Sequence, residues 1–176
     1  MNIANKVTTL RLVLIPVFII LYYIYGRSNN LAAIIFILAS LTDALDGHLA
    51  RSRNLVTTFG KFVDPLADKL LTMAAFIVLV GGNILPAWAV IIILSRELAI
   101  TAFRTIAADQ GIVIAASKWG KAKTTSQMLA LVMLLFNNNT LNNLGIYVFY
   151  LAVILTIISG ADYIIKNKKV LDLENI

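Results

Sequence analysis

Long apolar segments, separated by short polar or turn-forming clusters, repeat along the whole chain. An α-helix needs roughly 20 apolar residues to cross the hydrocarbon core of a bilayer. Six segments approach that length, and they cover about residues 7–25, 31–51, 59–80, 85–108, 122–136 and 144–165. The clusters between them are rich in glycine, asparagine, serine or basic residues, as connections are, at residues 26–30, 52–58, 81–83, 109–121 and 137–143. The pattern predicts an all-α integral membrane protein with six transmembrane helices, in a single domain over residues 1–176.

The composition also indicates a membrane protein, and it limits the kinds of molecule that the protein is expected to bind. Hydrophobic residues make up 60% of the chain, and the mean hydropathy is +0.86, which is outside the usual range of soluble proteins. The chain has no cysteine, which excludes a disulfide framework and a thiolate metal site. A net charge of +6 is compatible with nucleic-acid binding, but in a membrane protein it more often reflects basic cytoplasmic loops and anionic lipid or phosphate partners. We therefore expect membrane lipid, and no nucleic acid, as a partner.

The basic residues predict the orientation of the helices, because cytoplasmic connections carry an excess of lysine and arginine. The connections on one side of the predicted bundle contain only Arg27. Those on the other side contain Lys6, Arg51, Arg53, Lys61, Lys118, Lys121, Lys123 and the lysines after residue 165. This asymmetry predicts that both termini are cytoplasmic. Aromatic residues near the segment ends fit interfacial belts, with Trp119 and Tyr163 at the cytoplasmic interface.

Four aspartates lie at the predicted cytoplasmic ends of the second and third segments. Asp43 and Asp46 are three residues apart, and Asp64 and Asp68 are four apart, so each pair occupies one stripe of its helix. Acids near lipid are unfavourable unless they bind something. The pairs therefore indicate a site where the two helices face each other. Small residues on the same stripes leave room for a ligand, namely Gly47, Ala50 and Gly60.

Converging carboxylates repel each other unless a cation neutralises them, and an all-oxygen site suits Mg²⁺ or Mn²⁺. Mg²⁺ also binds phosphate oxygens, so such a site commonly serves phosphoryl chemistry, and Arg51 is placed to contact a phosphate. Two other interpretations are acids exposed in surface loops and a divalent-cation transporter with acids along its ion pathway. The regular spacing and apolar flanks argue against loops. The clustering of the acids at one interface, rather than at the midplane, argues against a transporter.

These residues resemble the motif of the CDP-alcohol phosphotransferases, D-x-x-D-G-x-x-A-R-x8-G-x3-D-x3-D. Every fixed position of the motif is present: Asp43, Asp46, Gly47, Ala50, Arg51, Gly60, Asp64 and Asp68. The resemblance implies six transmembrane helices, a homodimer, a two-metal site, a CDP-linked donor and an alcohol acceptor. It implies that the first three aspartates bind metal, and that Asp68 completes the two-metal site and acts as the base on the acceptor hydroxyl. The residues that it implies for CDP binding are Asp43, Asp46, Gly47, Ala50, Arg51, Gly60 and Thr8.

Three further segments resemble bacterial family members that use sn-glycerol 3-phosphate as the acceptor. The start, NIANKVTTLRLVLIP, matches their NIPNxLTxxRxxxxP at Asn5, Thr8, Arg11 and Pro16, while Ala4 replaces the usual proline. The other two segments are SRELAITAFR and SKWGKAKTTSQM. The resemblance implies transfer of a phosphatidyl group from CDP-diacylglycerol to sn-glycerol 3-phosphate, giving phosphatidylglycerophosphate and CMP, at the cytoplasmic face of a bacterial plasma membrane. Within the family, the alternatives are serine, inositol phosphate or phosphatidylglycerol as the acceptor.

Basic residues in the fourth and fifth segments predict an anionic acceptor. Arg96 lies well inside the fourth segment, where a lone cation is unfavourable, and adjacent helix residues such as Glu97 are not expected to face it. Arg104 lies eight residues further, on about the same face. The predicted acceptor-phosphate site consists of Arg96, Arg104, Lys118, Lys121 and Lys123. The alternative for the lysines is a topology signal combined with attraction to anionic lipid.

Overall fold

The computed structural model describes residues 3–53, 58–109, 111–112, 114 and 117–167, and within these ranges the side chains of residues 9–42, 66–67 and 69 onward. Regular structure in this part of the chain is helical throughout, without strands. The helices are α1 (Ile3–Tyr25), α2 (Leu31–Arg53), α3 (Thr58–Gly81), α4 (Ala87–Asp109), α5 (Lys118–Leu135) and α6 (Asn139–Lys166). The predicted all-α class is confirmed, and each of the six apolar segments coincides with one helix.

Three helices begin earlier than hydropathy predicts. α1 begins at Ile3 rather than near residue 7, α5 at Lys118 rather than near residue 122, and α6 at Asn139 rather than near residue 144. In α5 and α6 a polar side chain caps the first turn, which satisfies an otherwise unpaired backbone donor. Ser117 Oγ accepts from the backbone N–H three residues later at 3.0 Å, and Asn138 Oδ1 accepts in the same way at 3.1 Å. The predicted turn over residues 137–143 is therefore confirmed at residues 137–138 and wrong at residues 139–143, where the Asn138 cap lets the helix begin within the polar segment.

The helices pack in two groups that share one core. α1 packs against α2 and α3, α5 packs most extensively against α6, and α4 packs against α6. Contacts of α3 with α4, and of α5 with α2 and α3, join the groups. Fully buried aromatic and aliphatic side chains from both groups form a continuous cluster, which includes Phe18, Phe36, Phe76, Leu131 and Phe149. Close van der Waals packing of these side chains joins the two groups of helices.

The connections predicted for the outer side of the bundle meet at one end of it. In the α1–α2 turn, Gly26 has φ +58°, a left-handed conformation that glycine adopts without strain. Arg27 Nη1 in this turn donates to the Leu134 carbonyl at 3.1 Å, and Asn30 Oδ1 accepts from the Asn137 N–H at 2.7 Å. The α1–α2 and α5–α6 connections therefore lie together, as an up-and-down arrangement of the helices requires.

Among the described residues, one helix, α6, is long and apolar enough to cross a membrane by itself, with a mean hydropathy of 2.2 over its most apolar window. Shorter apolar helical segments are Thr9–Tyr25, Leu31–Thr42 and Lys69–Gly81. Many large apolar side chains point outward, such as Ile91, which is 60% exposed, and Ile154, which is 55% exposed. An apolar exterior of this kind suits contact with lipid. Six membrane crossings and cytoplasmic termini stay predictions.

Candidate functional site

The four aspartates of the motif lie on neighbouring helices. Asp43 and Asp46 belong to the second half of α2, and Asp64 and Asp68 belong to the first half of α3. The two helices contact each other and follow one another in the chain, so both pairs lie toward the same end of the helix pair. The side chains of residues 43–65, of residue 68 and of Thr8 lie outside the described part of the structure. The metal, CDP and base roles of Asp43, Asp46, Gly47, Ala50, Arg51, Gly60, Asp64, Asp68 and Thr8 therefore stay predictions.

A cavity of about 500 Å³ lies between α3, α4, α5 and α6. Its described lining contains five basic side chains and one acidic side chain, from Lys69, Arg96, Glu97, Arg104, Lys121 and Lys123. Hydroxyl groups add further polar surface, from Thr101, Ser117, Thr124, Thr125 and Tyr163. Lysine and arginine side chains are strong hydrogen-bond donors to phosphate, and the volume is in the usual range for a small-molecule site. We call this the basic cavity.

Most residues predicted for the acceptor phosphate line the basic cavity. Arg96 and Arg104 reach it from α4, and Lys121 and Lys123 reach it from α5. Lys118, the first residue of α5, is exposed and is not among the described lining residues. The structure thus brings four of these five residues together, while their role in binding stays a prediction.

An ion pair between α4 and α5 forms part of the cavity wall. Lys123, which is only 2% exposed, pairs with Glu97 through the carboxylate oxygen Oε1. Arg96 Nη1 contacts the same oxygen at 3.4 Å. The expectation that Glu97 does not face Arg96 is wrong, because the ends of two long side chains can meet although their Cβ atoms point apart. Glu97 therefore holds two basic side chains that would be unfavourable if they were buried alone.

Arg104 is held by an aromatic residue of α6. Arg104 Nε donates to Tyr163 OH at 3.1 Å, and the guanidinium carbon lies 5.6 Å from the centroid of the tyrosine ring. Tyr163 is 3% exposed and packs edge-on against Phe103, so its predicted place in an interfacial belt is wrong. The two terminal nitrogens of Arg104 have no hydrogen-bond partner among the described residues. They are therefore available to an anionic ligand.

Lys69 is a cavity residue that the sequence interpretation missed. It follows Asp68 directly in α3, and its Nζ donates to Thr101 Oγ1 on α4. Thr101 Oγ1 in turn donates to the backbone carbonyl of Glu97 at 2.7 Å. Lys69 therefore connects the helix of the last two aspartates with the wall of the basic cavity. Its position, one residue beyond the motif, is the signal that could have identified it.

Gly160 of α6 makes room for Arg96. A Cβ atom at Gly160 would lie 3.3 Å from Arg96 Cγ, which is tighter than ordinary van der Waals contact. Arg96 Nε is buried beside this glycine and has no hydrogen-bond partner among the described residues. The close approach of α6 thus allows the arginine stem to lie between two helices while its end reaches the cavity.

A second cavity, of about 290 Å³, adjoins the basic cavity. The two share Lys69, Glu97, Lys123 and Thr124 as lining residues. Arg11, which is 1% exposed, lines the second cavity from α1. This arginine is one of the matched positions of the N-terminal segment. The Lys123–Glu97 ion pair therefore lies between two cavities rather than at the edge of one.

Comparisons with known proteins agree with these features. A sequence profile described as CDP-alcohol phosphatidyltransferase matches residues 1–158. A CDP-diacylglycerol–glycerol-3-phosphate 3-phosphatidyltransferase of Bacillus subtilis is 42% identical, over 99% of this chain and 99% of its own length. The protein of the same name from Haemophilus influenzae is 42% identical, over 93% of this chain and 91% of its own. A probable phosphatidylglycerophosphate synthase of Mycobacterium tuberculosis is 40% identical, over 94% and 81%.

Proposed function

The chain belongs to the CDP-alcohol phosphatidyltransferase family, and we propose that it transfers the phosphatidyl group of CDP-diacylglycerol to sn-glycerol 3-phosphate. The products are phosphatidylglycerophosphate and CMP. The observation that carries the proposal is the near full-length similarity, at about 40% identity, to curated relatives that are named for this reaction. The basic cavity supports it, since an acceptor that already bears a phosphate needs cationic donors.

In this proposal the acceptor's phosphate binds Arg104 and Lys121 in the basic cavity. Its C1 hydroxyl then reaches Asp68, which accepts the proton. The acceptor oxygen forms a bond to the phosphorus that carries diacylglycerol, and the bond between that phosphorus and the CMP oxygen breaks. The position of Lys69, one residue after Asp68 and in the cavity lining, supports a short path between the phosphate site and the base.

The donor set suits two divalent cations. Asp43, Asp46, Asp64 and Asp68 supply only carboxylate oxygens, from two helices that contact each other, and such donors fit Mg²⁺ or Mn²⁺. Bound ions would neutralise the charge on the diphosphate and favour ionisation of the acceptor hydroxyl. Removal of divalent ions with EDTA is expected to abolish CMP release, and added Mg²⁺ or Mn²⁺ is expected to restore it. Full activity after exhaustive chelation would refute the requirement.

We further propose that the protein is an integral membrane homodimer with six crossings and a cytoplasmic active site in the bacterial plasma membrane. The apolar exterior and the apolar α6 support insertion, and a lipid-linked donor requires access from the bilayer. The cytidine part of the donor would bind at Thr8, Gly47, Ala50, Arg51 and Gly60, as the family motif implies.

The decisive experiment is a CMP-release assay on the purified protein with CDP-diacylglycerol and a panel of alcohols. We expect turnover with sn-glycerol 3-phosphate and little or none with serine, inositol phosphate or phosphatidylglycerol. Preference for one of those alcohols would overturn the acceptor while retaining the family. Asp68→Asn is expected to lower kcat by roughly 100-fold or more, since general-base catalysis contributes about 10²–10⁴-fold. Near wild-type turnover of that variant would refute the base role.

A further inference from the structure

We propose that Glu97 accepts a hydrogen bond from the secondary hydroxyl of the acceptor, and that it thereby selects a phosphorylated polyol over a simple phosphorylated alcohol. The inference rests on the proposed function and assigns a specificity role within it. The two oxygens of the Glu97 carboxylate have different surroundings.

Both basic partners of Glu97 use the same oxygen. Lys123 Nζ and Arg96 Nη1 each contact Oε1. Oε2 has no hydrogen-bond partner of its own among the described residues, although it shares the charge of the Lys123 ammonium that lies against the same carboxylate. The Glu97 side chain is 21% exposed and lines both cavities. One oxygen therefore fixes the side chain in place, and the other remains available to a molecule in the basic cavity.

The chemistry of the cavity wall makes this oxygen distinctive. The five basic side chains can only donate hydrogen bonds, which suits the phosphate of a ligand. Three threonine hydroxyls of the lining, at Thr101, Thr124 and Thr125, already donate to backbone carbonyls of their own helices. Glu97 is the one carboxylate among the described lining residues. Since an ionised carboxylate accepts more strongly than a neutral oxygen, it is the natural partner for a hydroxyl that does not react.

Glu97 and Arg104 both line the basic cavity, so one small ligand can contact both. They are seven residues apart on α4, so they lie on one face and about 10 Å apart along the helix axis. In sn-glycerol 3-phosphate, the C2 hydroxyl lies between the phosphate-bearing carbon and the reacting C1 hydroxyl. A phosphate near Arg104 and a C1 hydroxyl directed toward α3 would place the C2 hydroxyl toward Glu97.

The test compares two acceptors that differ in one hydroxyl. 3-Hydroxypropyl phosphate keeps the phosphate and the primary alcohol of sn-glycerol 3-phosphate but lacks the C2 hydroxyl. With purified full-length protein, CDP-diacylglycerol and Mg²⁺, the kcat/KM of the wild type should favour sn-glycerol 3-phosphate by about tenfold or more, the usual effect of a hydrogen bond to a charged group. In Glu97→Gln this ratio should fall several-fold, and in Glu97→Asp it should be largely retained.

Controls separate this role from a structural one. Asp109→Asn removes an exposed carboxylate at the end of the same helix and should keep the wild-type ratio. If Glu97→Gln alone does not fold, the double variant Glu97→Gln with Lys123→Met removes both charges of the buried pair, so that only Arg96 loses an acidic partner. Its ratio is expected to fall as well.

The possible results distinguish a failure of the Glu97 role from a failure of the proposed function. An equal kcat/KM for the two acceptors in the wild type would refute the role of Glu97 while leaving the reaction intact. An unchanged preference in the Glu97 variants would do the same. If the wild type releases no CMP with sn-glycerol 3-phosphate, the proposed function fails, and the selection of its acceptor fails with it.

Discussion

Basic residues inside apolar helices are stable in this fold because individual partners hold them. Arg96 and Lys123 share one oxygen of Glu97, and Arg104 donates to Tyr163. Arg96 and Lys123 are largely buried, and a buried cation without such partners is strongly unfavourable, whereas Arg104 is exposed. Arg96 and Arg104 could be predicted as a pair, since an eight-residue spacing keeps both on one helix face. The contacts of Lys123 with Glu97 and of Arg104 with Tyr163 could not be predicted, because helical periodicity within one segment does not say which other helix lies beside it.

Loss of the Tyr163 hydroxyl should weaken acceptor binding. Tyr163→Phe keeps the buried ring but removes the oxygen that accepts from Arg104 Nε. Because one hydrogen bond to a charged group is lost, we expect the KM for sn-glycerol 3-phosphate to rise about tenfold with little change in kcat. Steady-state CMP-release kinetics measure this effect. Tyr147→Phe, at a tyrosine that is 74% exposed, is the matched control and should leave KM unchanged. An unaltered KM in Tyr163→Phe would mean that this hydroxyl does not orient Arg104 for binding.

At the scale of helices, hydropathy located all six elements but placed three of their starts too late, those of α1, α5 and α6. It reports how favourably a segment leaves water, whereas a helix begins where a side chain can satisfy its first backbone donors. Ser117 and Asn138 provide such caps, so α5 and α6 extend into polar sequence. The early start of α5 has a functional consequence, because it places Lys121 on a formed helix rather than in a connection.

The two caps offer a matched pair of substitutions. Ser117→Ala and Asn138→Ala should each lower the free energy of unfolding by about 1 kcal/mol, the typical contribution of an N-cap. Only Ser117→Ala should also raise the KM for sn-glycerol 3-phosphate, because its helix begins beside the basic cavity. Thermal unfolding in detergent measures the first effect, and CMP-release kinetics measure the second. An equal rise of KM in both variants would show that general destabilisation, rather than the position of α5, is responsible.

At the scale of the whole molecule, the order of the apolar segments predicted that successive helices run in opposite directions. It did not predict which helices pack against each other. Arg27 and Asn30 join the α1–α2 turn to the end of α5, as alternation predicts. The preference of α4 for α6, and the cavity that forms between these helices, α3 and α5, depends on long-range packing. The aspartate motif was recognisable from local spacing alone. The basic cavity required the fold to bring four helices together.

The absence of cysteine allows a direct test of orientation. Single cysteines introduced at Ser28 and at Asp109, both exposed, lie in connections predicted for opposite faces of the membrane. In intact cells, a membrane-impermeant maleimide should label Ser28→Cys and should label Asp109→Cys only after lysis. The unmodified chain serves as the unlabelled control. Labelling of Asp109→Cys in intact cells, with protection of Ser28→Cys, would reverse the proposed topology.

The excess of basic over acidic side chains around the basic cavity also affects how fast an acceptor arrives. A concave surface with one dominant sign of charge concentrates field lines and draws in oppositely charged solutes before any contact forms. That attraction extends over a Debye length of about 10 Å at 0.1 M salt and about 3 Å at 1 M. Capture of a dianionic acceptor should therefore slow with rising ionic strength, while the chemical step on the bound molecule changes much less. In a cell, the same field would also attract inorganic phosphate and other small anions, which would then compete for the cavity.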